Sequence, residues 1–128
     1  MNKLIIDVAN EKIFLMVITN FSIYNITHEN TKINYEKLTI IINDFLLSKN
    51  LKIADIGVIY INIGLGSFAG IRNSMSVVKA FNVAKNIDYY CYNLHDFKDE
   101  KDLSYENIPN LCKKYKIKKN LINPIYIS

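Results

Sequence analysis

VIYINIGLGSFAGIRNSMSVVKAF, Val58 to Phe81, changes its hydrophobic period midway. Val58 to Ile63 is a near-continuous apolar run, as expected of a central strand covered on both sides. Three of the chain's four glycines, Gly64, Gly66 and Gly70, follow at once, and Ile71 to Lys85 then reads as a helix. A loop between strand and helix can cradle a phosphate or only turn the chain. A phosphate loop needs converging N–H groups, with a lysine and a hydroxyl at fixed places after the last glycine. Here Ile71 and Arg72 follow Gly70, and the glycine spacing misses the dinucleotide fingerprint. The residues alone favour a structural turn, with glycine serving tight geometry or close packing.

Working outward, Leu4 to Ala9, Ile13 to Thr19 and Phe21 to Thr27 are short runs rich in β-branched residues, broken by Asn10-Glu11-Lys12 and Asn20. They read as a three-stranded meander. From Asn34 to Asn50 the spacing changes, and Tyr35, Leu38, Ile41, Ile42, Phe45 and Leu46 mark one face of an amphipathic helix. A further strand is expected at Tyr89 to Asn93. A charged linker follows at Lys98 to Asp102, then a short helix from Asn107 and Pro109 to Tyr115, then a strand or extended tail at Leu121 to Ile127. Three hairpin strands followed by alternating helix and strand give an α/β fold, a mixed sheet with helices on its faces.

The 128 residues suit one compact domain, and half of them are apolar. No apolar run is long enough for a membrane span, and Met1-Asn2-Lys3 does not lead into a signal-peptide core, so a cytoplasmic location is expected. Cys91 and Cys112 show no metal or redox spacing and are expected to be reduced structural thiols. Net charge is +4, carried almost wholly by lysine, with Arg72 the only arginine. The run Lys113, Lys114, Lys116, Lys118 and Lys119 reads either as a solvated face or as a contact for a polyanion; it lacks the arginine fork that grips phosphate bidentately.

Gly64-Leu65-Gly66-Ser67-Phe68-Ala69-Gly70-Ile71-Arg72 resembles the G-P-G-S-F-T-G-L-R signature of the TsaB (YeaZ) family. Leu4 to Ala9 is similar to the family's opening I-L-A-I-D-T-A/S strand, and Asn123 to Ser128 to its P-x-Y-L-R ending. The resemblance implies a single actin-like, ribonuclease-H-like half of the ASKHA type over residues 1–97, a five-stranded mixed sheet with the second strand antiparallel and helices on both faces. It makes 98–128 a short C-terminal tail, the remnant of a second half. It implies a non-catalytic accessory subunit in threonylcarbamoyladenosine modification of tRNA, whose partners are a TsaD-like catalytic subunit and a TsaE-like ATPase. ATP and metal are then expected in the partner proteins, and no cofactor in this chain. The departures are Leu65 for proline and Ala69 for threonine, and Val8 and Ala9 leave no hydroxyl for phosphate at the first strand.

On a helical wheel, Ile71, Met75, Val77, Val78, Ala80, Phe81 and Ala84 cover more than half the circumference, a wider arc than one sheet needs. Ile40 and Leu47 stand opposite the main stripe of the preceding helix. The resemblance pairs these two helices with their equivalents in TsaD. The expected partner surface is therefore Ile40, Leu47, Ile71, Met75, Val78 and Phe81, with self-packing as the alternative. Gly64, Gly66, Ser67, Phe68, Gly70 and Arg72 form the loop motif that aims the second helix, and the five lysines are candidates for tRNA contact inside the complex. No catalytic residue is expected: His28 and His95 lack neighbours at ligand spacing, Ser67 has no evident base, and Asp7 and Asp96 are read as solvated or capping groups rather than magnesium ligands. Competing expectations are an actin-type nucleotide-binding or ATPase module, and a relic domain that homodimerises through the same helices.

Overall fold

The computed structural model describes residues 1–64 and 68–121. Five strands, β1 (Asn2–Asp7), β2 (Lys12–Ile18), β3 (Ile23–Glu29), β4 (Ile56–Asn62) and β5 (Asp88–Tyr92), form one sheet in the order β3-β2-β1-β4-β5. β1, β2 and β3 are an antiparallel meander, whereas β4 pairs in parallel with β1 and β5. The third strand starts later than its apolar run suggests, because Thr19 to Ser22 closes a turn in which the Ser22 amide donates to Thr19 Oγ1 at 3.0 Å. Phe21 lies in that turn and is exposed.

The helices are α1 (Lys32–Glu36), α2 (Leu38–Ser48), α3 (Phe68–Lys85) and α4 (Ile108–Lys114). The single helix expected at Asn34 to Asn50 begins earlier, where the Thr31 side chain accepts from the Asn34 amide, and it breaks at Lys37 into α1 and α2. Tyr35 packs at the edge of the core and Leu38 is fully buried, so both pieces keep their apolar side on the sheet.

α1, α2 and α3 cover one face, packing Leu38, Ile42, Phe45, Met75, Val78 and Phe81 against Leu4, Ile6, Leu15, Ile59 and Ile61. α4 covers the other, where Ile108, Leu111 and Cys112 meet Ile5, Tyr60, Tyr92 and Phe97. The segment expected as a tail after residue 97 thus supplies the second helical layer. Near its described end, Asn120 also caps the sheet edge: the Asn120 amide donates to the Tyr89 carbonyl at 2.7 Å, and the Tyr89 amide to Asn120 Oδ1 at 2.9 Å. Asn120 has a φ of 59°, a left-handed conformation that asparagine accepts more readily than most residues. The strand or tail expected at Leu121 to Ile127 lies, beyond Leu121, outside the described residues.

Candidate functional site: strand ends and helix faces

In parallel sheets ligands gather at the carboxyl ends of the strands. Here β1, β4 and β5 end in three buried polar side chains, Asp7, Asn62 and Asn93. Asp7 and Asn62 face each other in register, and the Asn62 Nδ2 donates to Asp7 Oδ2 at 3.1 Å. The Ala9 amide donates to Asp7 Oδ1 at 2.9 Å, and the Asn10 side chain and the Tyr105 hydroxyl donate to Oδ2 at 3.3 and 2.8 Å. The carboxylate is therefore surrounded by protein donors. Its charge and, ahead of it, burial push the Tyr105 hydroxyl pKa far up, so Tyr105 stays a donor at neutral pH.

The Gly64 amide donates to Asn62 Oδ1 at 2.8 Å. A Cβ at Gly64 would lie 3.1 Å from both Asn62 Oδ1 and Asn93 Oδ1, so any larger residue would push the two side-chain amides apart. Asp96 caps a turn by accepting from the Asn93 amide at 3.0 Å. Of the solvated or capping roles expected for Asp7 and Asp96, both residues make the backbone bonds of the capping one, and Asp7 is buried rather than solvated. Among the described residues no three His, Cys, Asp or Glu side chains gather where a metal ion could sit. Cys91 and Cys112 are free and buried, and burial first of all pushes each thiol up to about 12. Both are protonated at neutral pH and are poor nucleophiles.

The loop motif divides. Gly66 and Ser67 lie outside the described residues, whereas Phe68, Gly70 and Arg72 already belong to α3. Gly70 is buried in the helix's first turn. Ile71, Met75, Val78 and Phe81, expected at a partner surface, are buried in the chain's own core, and that expectation is corrected for all four. α3 is flanked by β4 and β5 on one side and by α1 and α2 on another. A helix with two neighbours of its own chain needs a wide apolar arc.

Ile40 and Leu47 do stand on the surface, 59% and 56% exposed. Ile33 on α1, 65% exposed, extends the line one heptad upstream, and Val83 on the adjoining α3 is 84% exposed beside exposed Ala80 and Ala84. The lysines also divide: Lys114 pairs with Glu100 and Lys119 with Asp88, while Lys113, Lys116 and Lys118 are exposed and, among the described residues, make no ion pair. No helix among the described residues is long and apolar enough to cross a membrane.

No family model and no curated protein matches the sequence. Among solved structures, YeaZ from Pseudomonas aeruginosa aligns with a TM-score of 0.66 at 16% identity, covering 72% of this chain. The fold is that of YeaZ. A second Pseudomonas aeruginosa structure, of an uncharacterized protein similar to peptidase YeaZ, gives the same values. The chain spans 43% of the length of either. RuvC from Thermus thermophilus, solved with a Holliday junction substrate, aligns with a TM-score of 0.54 at 9% identity over 99% of this chain and 85% of its own. Both likenesses belong to the ribonuclease-H-like class.

Sequence reasoning misses Asn62, Asn93 and Tyr105. Asparagines ending two apolar runs are the available signal for the first pair. Tyr105 carries none, since its partner Asp7 is 98 residues away.

Proposed function

We propose that this chain is a TsaB-like accessory subunit without catalytic chemistry of its own, binding a TsaD-like protein and supporting threonylcarbamoyl transfer to tRNA adenosine. The YeaZ-like fold supports the family reading, and one surface observation carries the binding reading: Ile33, Ile40 and Leu47 recur every seven residues along α1 and α2, all exposed. Seven-residue spacing of apolar side chains is what one helix presents to another. Val83 with Ala80 on α3 adds a second exposed apolar strip, so two helices of this chain meet two of the partner. The partner's ATPase and metal chemistry then complete the system, and tRNA joins through the assembly.

A RuvC-like nuclease reading meets an obstacle at the strand ends. Metal-assisted hydrolysis needs clustered carboxylates, and two of the three strand-end groups here are neutral amides.

The test is co-expression with the TsaD-like protein of the same genome, followed by gel filtration. A co-eluting complex is expected, lost in Ile40→Asp and Leu47→Asp proteins that keep the wild-type melting temperature. A homodimer that persists in the presence of that partner would favour the relic reading, and no complex with wild type would remove the proposal.

A further inference from the structure

A cleft of about 490 Å³ opens between α4 and the sheet, on the face opposite α2 and α3. Sites for small organic ligands run from roughly 300 to 1,000 Å³, so it has room for one nucleotide-sized molecule. Three lysines border it, Lys3 from the start of β1, Lys113 from α4 and Lys116 just beyond, and among the described residues no carboxylate does. Nor does any of the three make an ion pair among the described residues, although acidic partners hold their neighbours Lys114 and Lys119. Tyr60 and Tyr90 also line it, adjacent on β4 and β5, their rings stacked 5.3 Å apart at 12°. Tyr90 is half-buried on the edge strand, stacked on Tyr60. Burial foremost pushes the Tyr60 hydroxyl and the Cys112 thiol up to about 12, so the charge of the cleft is that of its lysines alone.

We propose that this cleft binds one nucleotide unit, its phosphates on Lys3, Lys113 and Lys116 and its base against Tyr90. Unpaired lysines around an opening recruit an anion, and an aromatic floor selects one with a π face. Basic grooves with aromatic platforms are how proteins hold single-stranded nucleic acid. The site is independent of the partner reading, because it uses the other face of the sheet and none of Ile33, Ile40 or Leu47.

The experiment is fluorescence polarisation of labelled hexauridylate with the isolated protein, across a salt series. Binding is expected, with the Lys113→Gln/Lys116→Gln double variant at least tenfold weaker and its salt slope shallower by about 0.7 for each single-strand phosphate that is no longer neutralised. Lys114→Gln/Lys119→Gln, altering the paired lysines, should change affinity less than twofold. Tyr90→Leu should weaken binding several-fold at an unchanged salt slope, and Tyr90→Phe should restore it. Uridine monophosphate as competitor separates the sources: displacement at similar concentration points to a free nucleotide, displacement only by unlabelled hexamer to a nucleic-acid strand. The site is overturned if hexauridylate does not bind, if the paired lysines matter as much as the unpaired ones, or if polyglutamate competes equally well.

Discussion

The two faces of the sheet are packed in different chemistries. Under α1 to α3 the packing is almost wholly aliphatic, with Leu15, Ile42, Leu46, Ile59 and Ile61 fully buried. Under α4 it is aromatic and carries hydroxyls: Tyr105 stacks on Phe14 at 3.9 Å, Tyr92 on Phe97 at 5.8 Å, and Tyr115 donates to the Lys98 carbonyl at 2.6 Å. Aliphatic side chains of three helices interlock and close their face. A single helix of seven residues cannot cover the other, so it is pinned by discrete hydrogen bonds and leaves a cleft beside it. One face therefore carries stability and offers its outer helix surface for docking, while the other offers an opening.

Phe81 gives the hardest test of the closed face. Phe81→Asp places an unpaired carboxylate among buried apolar groups, which costs several kcal/mol, and the protein should fail to fold as judged by circular dichroism. Leu47→Asp, one helix away and exposed, should melt within about 0.5 kcal/mol of wild type. Equal behaviour of the two would mean that the closed face is not closed at α3.

That contrast also shows where the sequence is legible. The runs of β-branched residues, the shift to helical spacing at Asn34 and the double-sided strand at Val58 to Ile63 are local signals, and they suffice for the succession of strands and helices along the chain. The arc of Ile71, Met75, Val78 and Phe81 misleads because its width reports how many neighbours a helix has, not whose they are. The stripe of Tyr35, Leu38, Ile42 and Phe45 reads correctly as the covered side, with Ile40 and Leu47 outside it. The strand-end cluster and the cleft draw on residues far apart in the chain, and Asn62, Asn93, Tyr90 and Tyr105 fit no spacing rule.

On the aromatic face a single hydroxyl can be removed without disturbing the stack. Tyr105→Phe keeps the ring on Phe14 and deletes the hydrogen bond to Asp7. Hydrogen bonds to charged groups are worth roughly 1.5–3 kcal/mol, and the half-buried Tyr105 belongs at the lower end. Chemical denaturation should show that loss with an unchanged slope. An unchanged midpoint would mean that α4 is held by apolar packing alone and that the two faces differ less than their composition suggests.

The smallest effect concerns the outer anchor of α4. The Lys114 hydrogen bond, followed by that of Tyr115, holds the Glu100 carboxyl below the ordinary glutamate range, and the same hydrogen bond from Glu100 raises Lys114. A carboxyl with a lowered folded pKa contributes stability above its unfolded pKa and loses it as pH falls through the folded one. A raised lysine contributes below its unfolded pKa and loses that as pH rises through the folded value. The contribution is therefore confined between the acid and alkaline limbs. Lys114 is exposed and Glu100 half-buried beside it, and a pair open to solvent on one side is worth little and is screened by salt. Glu100→Gln should lower the melting temperature slightly at pH 7 in low salt, and the difference from wild type should shrink as pH falls through the folded pKa and in high salt. A difference that high salt left unchanged would show that position 100 acts through packing around Tyr115 and not through its charge.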